Sequence, residues 1–454
     1  MTLLIILISF INIFLFKNNP KKLVFYLLIL FPYFGILQFY LMPLTSIYAI
    51  FYDFIFCIPI YCGFFFNNKA KQSFELNEIS LFIIFYFLFN TVYLFTPGNP
   101  YPLFGRLIGF KVTMFYIYFV FIGYYILETK DDFKKIINIL SIGSIIPCTF
   151  VILQYFIALN YGHSNAFFLV SDLIDPSLIT QGLTQFNLGS LKVFRLNGTF
   201  SFSTQLANYI LFLYVPVITS LYLNNSKKLI ILNKFALVLL FISSLLCGSR
   251  SMILFVPIIL ILYMYFKLNY KTFWLSSLFI TIITTIFYSF NLLYFDNFFS
   301  EYYILFDGYS SNLNKGWIDF IYNNFWGNGL GTATPELRFL FGIDLEVYHM
   351  AKRIVNERYY FKILYETGFL GLILFVIFAV KLVSYPMILL KKKITSEYRS
   401  FAALTSSFTI FIFFISSLKG FSIDLFPTSF MKYLIIGMTI KIIFLCKKQS
   451  KKII

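Results

Sequence analysis

Charge is scarce in this chain of 454 residues: 12% are charged, against 59% that are hydrophobic. A soluble domain could not bury that much apolar surface, which excludes a water-soluble fold. Histidine is nearly missing, with only His163 and His349, so a histidine-rich metal site is excluded as well. The five cysteines (Cys57, Cys62, Cys148, Cys247 and Cys446) show no metal-ligand spacing, and their odd number argues against a complete disulfide framework. The N-terminal "MTLLIILISFINIFLF" lacks a basic leader and a small-residue cleavage site, so it reads as a first span and not as a signal peptide. No internal repeat or low-complexity tract suggests a repeat-built transporter. Arginine is rare too, at seven of the 36 basic residues.

What the chain has instead is apolar runs, each about long enough to cross a hydrocarbon core of ~30 Å. About thirteen are expected, near 2–16, 23–41, 46–66, 79–95, 109–127, 136–159, 203–222, 229–247, 251–266, 273–293, 360–385, 400–418 and 425–445. The expected fold is an all-α polytopic membrane protein. Its parts are N-terminal spans over 1–159, an outer loop over 160–202, central spans over 203–293, a large outer loop over 294–359 and C-terminal spans over 360–454.

The net charge of +17 does not point to nucleic acid, because most lysines sit in short clusters between spans. Lys17/Lys21/Lys22, Lys69/Lys71, Lys130/Lys134/Lys135, Lys227/Lys228, Lys267/Lys271, Lys391 to Lys393 and the C-terminal "KKQSKK" fall in every second connection. The positive-inside rule makes those connections cytoplasmic, next to anionic headgroups. Arginine runs the other way. Arg106, Arg195, Arg250, Arg338, Arg353 and Arg358 fall on the outward side, and only Arg399 is inward. A guanidinium is a planar fork that grips phosphate with two hydrogen bonds and cannot be deprotonated. Outward arginines at a membrane face therefore suggest a phosphate-bearing, lipid-anchored ligand; headgroup contacts and local salt bridges are the alternative. Arg250, in "SSLLCGSRSMILFV", joins two spans with almost nothing between them, and reads as a phosphate clamp or an interfacial anchor.

Three patterns stand in order along the chain. The first is "RLNGTFSFSTQLANYI", from Arg195 to Ile210; the second is "GSRS" around Arg250. The third is "NFWGNGLG", followed after an insertion by "NERYYFKILYETGFLGLILF". Together they resemble the O-antigen polymerase and O-antigen ligase superfamily of membrane glycosyltransferases. Arg195, Gly198 and Phe200 match that family's Arg-x-x-Gly-x-Phe run, with Ser203-Thr204 where Pro-Asn is common. "GSRS" is similar to its Ser-Arg-Gly/Ser turn, and Glu366, Gly368 and Gly371 match its Glu-x-Gly-x-x-Gly helix. The ligases carry His-Asn at the start of that helix, where this chain has Glu357-Arg358, and a glutamate at that place is more like the polymerases. "GNGLG" itself has no preceding strand and no following Gly-Lys-Ser/Thr, which excludes a nucleotide loop and leaves backbone turns.

The resemblance implies a GT-C-like bundle that joins polyprenyl-diphosphate-linked oligosaccharide repeat units outside a bacterial cytoplasmic membrane, in the periplasm or beyond. The growing chain would leave its diphosphate carrier for a sugar hydroxyl of the next unit. Arg195 and Arg250 would hold the diphosphate with Arg358 as a third, and no metal or cofactor is implied. Glu357 would act as general base or orient the acceptor, with an i,i+4 ion pair to Arg353 as the alternative. Tyr359 and Tyr360 would stack on sugars, or belong to an interfacial aromatic belt. The implied partners are lipid-linked glycans and membrane lipids, with a chain-length regulator and a flippase as candidate protein partners. An O-antigen ligase is the alternative within the family, and a lipid-linked oligosaccharide flippase the alternative outside it. Glu366 is expected to be structural, at a helix–helix contact. His163 and His349 read as incidental loop histidines. Asp53, inside the third span, is an intramembrane carboxylate that Lys432 in the last span could neutralise.

Overall fold

The computed structural model describes residues 2–41, 51–66, 78–162, 164–167, 185–188, 191–200, 203–224, 226–247, 252, 321–334, 359–392, 395–418 and 428–450. In chain order the helices are α1 (Thr2–Phe16), α2 (Pro20–Leu30), α3 (Phe34–Leu41), α4 (Ile58–Phe66), α5 (Glu78–Val92), α6 (Leu103–Met114) and α7 (Phe119–Ile126). They continue as α8 (Lys130–Gly143), α9 (Ile145–Tyr161), α10 (Ser203–Leu223), α11 (Lys227–Leu246), α12 (Tyr359–Leu390), α13 (Ser396–Ile410) and α14 (Thr428–Ser450). Among the described residues, seven helical stretches are long and apolar enough to cross a membrane, and three shorter apolar helices join them. Apart from Met252, the runs expected at 251–266 and 273–293 lie outside the described residues.

The described helices are those of an all-α membrane protein, with one short addition. An antiparallel hairpin, β1 (Gln185–Leu188) and β2 (Leu191–Phe194), pairs Gln185 with Phe194 and Leu188 with Leu191 just before Arg195.

Helix α10 forms the centre of the bundle. It is buried on every side, from Gln205 through Ser220, as an all-round apolar helix must be. Peripheral helices turn long apolar side chains outward at helical spacing: Leu81, Phe85, Leu88 and Val92 on α5, and Ile231, Phe235, Val238 and Leu245 on α11. Such stripes are what a lipid-facing surface requires. Helix α13 has a different composition. Its Ser406, Ser407 and Thr409 are fully buried and donate to the carbonyls four residues back, so a hydroxyl-rich span sits inside the bundle without an unmade bond at those positions. Helices α7 and α14 run parallel and touch backbone to backbone. A Cβ on Gly123 would lie 2.1 Å from the Leu434 carbonyl oxygen, and one on Gly437 2.0 Å from that of Val120. This is the small-residue contact by which membrane helices approach closely.

The two ends of the bundle differ in chemistry. At one end Lys21 pairs with Asp132 at 2.8 Å, Lys130 lies over the ring of Tyr398, and Lys392 reaches the Ile443 carbonyl. Thr129 and Asp132 form a reciprocal cap that starts α8 at this same end. The opposite end carries the Arg195 turn, the glycine-rich segment and the start of α12.

Candidate functional site

The Arg195 turn is held from beneath. Gln154, buried in α9, accepts from the Gly198 backbone N–H at 2.9 Å and donates to the Asn197 side-chain oxygen at 3.1 Å. Asn197 in turn donates to the Phe200 carbonyl at 2.7 Å. Thr199 donates its hydroxyl to the Pro32 carbonyl, and its own carbonyl accepts from the Ile36 N–H at 3.3 Å. Leu196 to Phe200 are all buried, while Arg195 is half-buried at the rim. The backbone that carries this guanidinium is therefore fixed by the turn between α2 and α3, by α3 and by α9 together.

The same helix α9 meets the end of α11. Ser243 donates to the Cys148 carbonyl at 3.0 Å, two turns before Gln154, and Cys247 is fully buried. Arg250 itself lies outside the described residues, as do Glu357, Arg358, His163 and His349.

The glycine-rich segment docks onto a break in α12. Gly368 has φ 72° and ψ −175°, so the helix stops there and restarts. The carbonyls released by the break are taken up by the loop: Asn328 N–H donates to Tyr365 O at 2.8 Å, and Gly329 N–H donates to Glu366 O at 2.9 Å. In return Phe369 N–H donates to Phe325 O at 2.9 Å. The Glu366 carboxylate, fully buried, accepts from the Ala333 N–H and the Thr334 hydroxyl, each at 3.0 Å. Glu366 is thus structural as expected, but it joins a loop to a helix and not two helices. "GNGLG" provides backbone turns, as expected, and those turns close the bonds of a discontinuous span.

Arg106 belongs to this scaffold and not to a phosphate site. Its guanidinium donates to the carbonyls of Tyr101 (2.8 Å), Asn99 (3.0 Å), Leu94 (3.2 Å) and Thr96 (3.3 Å), stapling the loop before α6. Asn99 then donates to Leu330 O at 3.0 Å, which ties that loop to the glycine-rich segment.

The two tyrosines differ. Tyr359 is 1% exposed, with its ring against Phe375 at 5.2 Å, so sugar stacking at this residue does not fit its burial. Tyr360 is half-buried and donates its hydroxyl to the Phe413 carbonyl, which pins α12 to the turn that follows α13. Lys362, one turn into α12, is fully buried with its ammonium over the Tyr359 ring. Sequence reading passed over both Lys362 and Gln154. The available signal was a polar residue inside an apolar run.

Asp53 is buried, but its partner is not Lys432. Lys111 on α6 pairs with it at 2.8 Å, and the Tyr116 hydroxyl donates to its other oxygen at 2.9 Å. Lys432 instead faces the rings of Tyr433 and Phe413. Removing one member of a buried pair strands the other, so Lys111→Met is expected to cost about 3 kcal/mol, and Asp53→Asn/Lys111→Met to recover most of it. Thermal unfolding of the two purified variants checks this.

Comparison with family models, with curated proteins and with solved structures found no match.

Proposed function

We propose that this chain is a membrane glycosyltransferase, a polymerase that joins polyprenyl-diphosphate-linked oligosaccharide repeat units at the outer face of a bacterial cytoplasmic membrane. The lysine-lined end is cytoplasmic by the positive-inside bias. The Arg195 turn, the glycine-rich segment and the broken α12 then face outward, in a GT-C-like bundle. The observation that carries this reading is the setting of Arg195: half-buried, on a turn locked by Gln154, at the end opposite the lysines.

In this mechanism a hydroxyl of the newly arrived unit attacks the anomeric carbon of the growing chain. The bond from that carbon to the carrier diphosphate breaks, and the diphosphate leaves with the electron pair. Glu357 orients the hydroxyl and takes its proton. Arg195 and Arg250, with Arg358 as a third, stabilise the charge that builds on the departing diphosphate. Guanidinium groups fill the role that a divalent ion has in metal-dependent glycosyltransferases.

The test is the full-length protein in vesicles supplied with a lipid-linked repeat unit, with products read by mass spectrometry. A ladder of lengthened carrier-linked glycans is the expected result. Transfer of finished chains to a lipid A acceptor without a ladder would make the chain a ligase. Movement of the unit across the bilayer without lengthening would make it a flippase.

A further inference from the structure

The last helix opens on a buried polar turn that the mechanism above does not use. Thr428 and Ser429, in the first turn of α14, are 0% and 1% exposed, and neither hydroxyl has a hydrogen-bond partner among the described residues. Native structures keep few buried hydroxyls in that state, because the missing bond is destabilising. Two on one helical turn are a specific feature. Lys432 follows three residues after Ser429 and four after Thr428, so the three side chains share one helix face. It too is buried, with its ammonium 4.7 Å from the Tyr433 ring centre and 5.8 Å from that of Phe413.

A helix N-terminus already presents backbone N–H groups without intrahelical acceptors and the positive end of the helix dipole. The Lys432 ammonium adds donors alone and each of the two hydroxyls can add one more, a set that suits an anion. The surroundings also fit. Phe413, beside Lys432, is the residue to which Tyr360 is pinned. On the other flank Phe430 packs edge-on against Phe31 at 5.5 Å, and the next residue, Pro32, accepts the Thr199 hydroxyl of the Arg195 turn. The buried turn is thus one aromatic layer from the Arg195 turn.

We propose that the first turn of α14 is an anion site in which the Thr428 and Ser429 hydroxyls and the Lys432 ammonium take one phosphate of a lipid-linked diphosphate. The identity of the ligand rests on the polymerase reading; the site rests on the geometry alone. A phosphate held there is stripped of water, and at low dielectric the ammonium acts on it more strongly than it would in solution.

The test uses the full chain in detergent micelles titrated with farnesyl diphosphate, with farnesol and phosphatidylglycerol as comparisons. Wild type should bind farnesyl diphosphate and not farnesol. Kd should rise at least about tenfold in Lys432→Met and in Thr428→Val/Ser429→Ala, and return to within about threefold in Lys432→Arg. Thr428→Val/Ser429→Ala should unfold at no lower temperature than wild type, since neither hydroxyl has a partner among the described residues to lose; this separates lost binding from lost fold. Unchanged farnesyl diphosphate affinity in both variants overturns the site. So does a loss confined to phosphatidylglycerol, which would make the turn a headgroup contact. If the vesicles show no elongation but the variants lose farnesyl diphosphate, the polymerase reading fails and the site stands. Elongation with unchanged affinities is the converse.

Discussion

Arg195→Lys is expected to lower chain elongation on the order of a hundredfold, the scale seen when one donor to a developing negative charge is lost. The substitution keeps the positive charge and removes the planar fork, so the loss reports bidentate geometry and not net charge. Folding should be preserved. The turn beneath is held by Gln154, Asn197 and Thr199, none of which uses the Arg195 side chain for the bonds described. The measurement is the distribution of glycan lengths made by wild type and variant in matched vesicles, beside their unfolding temperatures. Equal glycan lengths would remove Arg195 from the reaction, and a collapsed unfolding temperature would make it a structural residue. Arg250→Lys should behave in the same way.

Gly327→Ala is expected to cost about 3 kcal/mol of stability, from overpacking together with an unfavourable backbone conformation. Gly327 has φ 76°, and a Cβ there would lie 2.5 Å from the Gly368 nitrogen and 2.8 Å from the Glu366 carbonyl oxygen. No side chain can retreat to make room, because both atoms are backbone. The loop must lift, which frees the Tyr365 and Glu366 carbonyls inside a membrane span, where nothing else can bond them. Thermal unfolding of the purified variant gives the size of the loss. Protease cleavage after Tyr322 and Trp326, both strongly exposed, shows whether the loop has come away. An unfolding temperature equal to wild type would mean that the docking of this segment contributes little.

The fold was legible in the sequence because its determinant is a coarse one. A run of about twenty apolar residues spans a bilayer whatever its neighbours are. The runs expected at 203–222 and 229–247 match α10 and α11 within a few residues. The alternation of lysine clusters also reappears as a physical end of the bundle, where Lys21, Lys130 and Lys392 gather. Pairing across the bundle was not legible, because hydropathy carries no information about which spans touch. Charge alone offers Lys432 as a group that could neutralise Asp53, and the structure gives it Lys111. Arg106 looked like the other outward arginines, yet four backbone carbonyls occupy it. Tyr359 read as a surface aromatic because nothing local shows that Phe375, a further four turns along the same broken helix, covers it. The Arg195 turn stands out by its pattern, whereas Gln154 shows only as a polar residue inside an apolar run, with nothing local to say that it locks that turn from another helix.

The most direct measurement places a photo-crosslinking phenylalanine analogue at Phe194, the half-buried residue next to Arg195, in living cells. Illumination should yield adducts carrying the mass of a polyprenyl diphosphate with repeat units attached, and Arg195→Lys should reduce them. Adducts to ordinary phospholipids alone, unchanged by Arg195→Lys, would contradict a grip on the carrier at this turn.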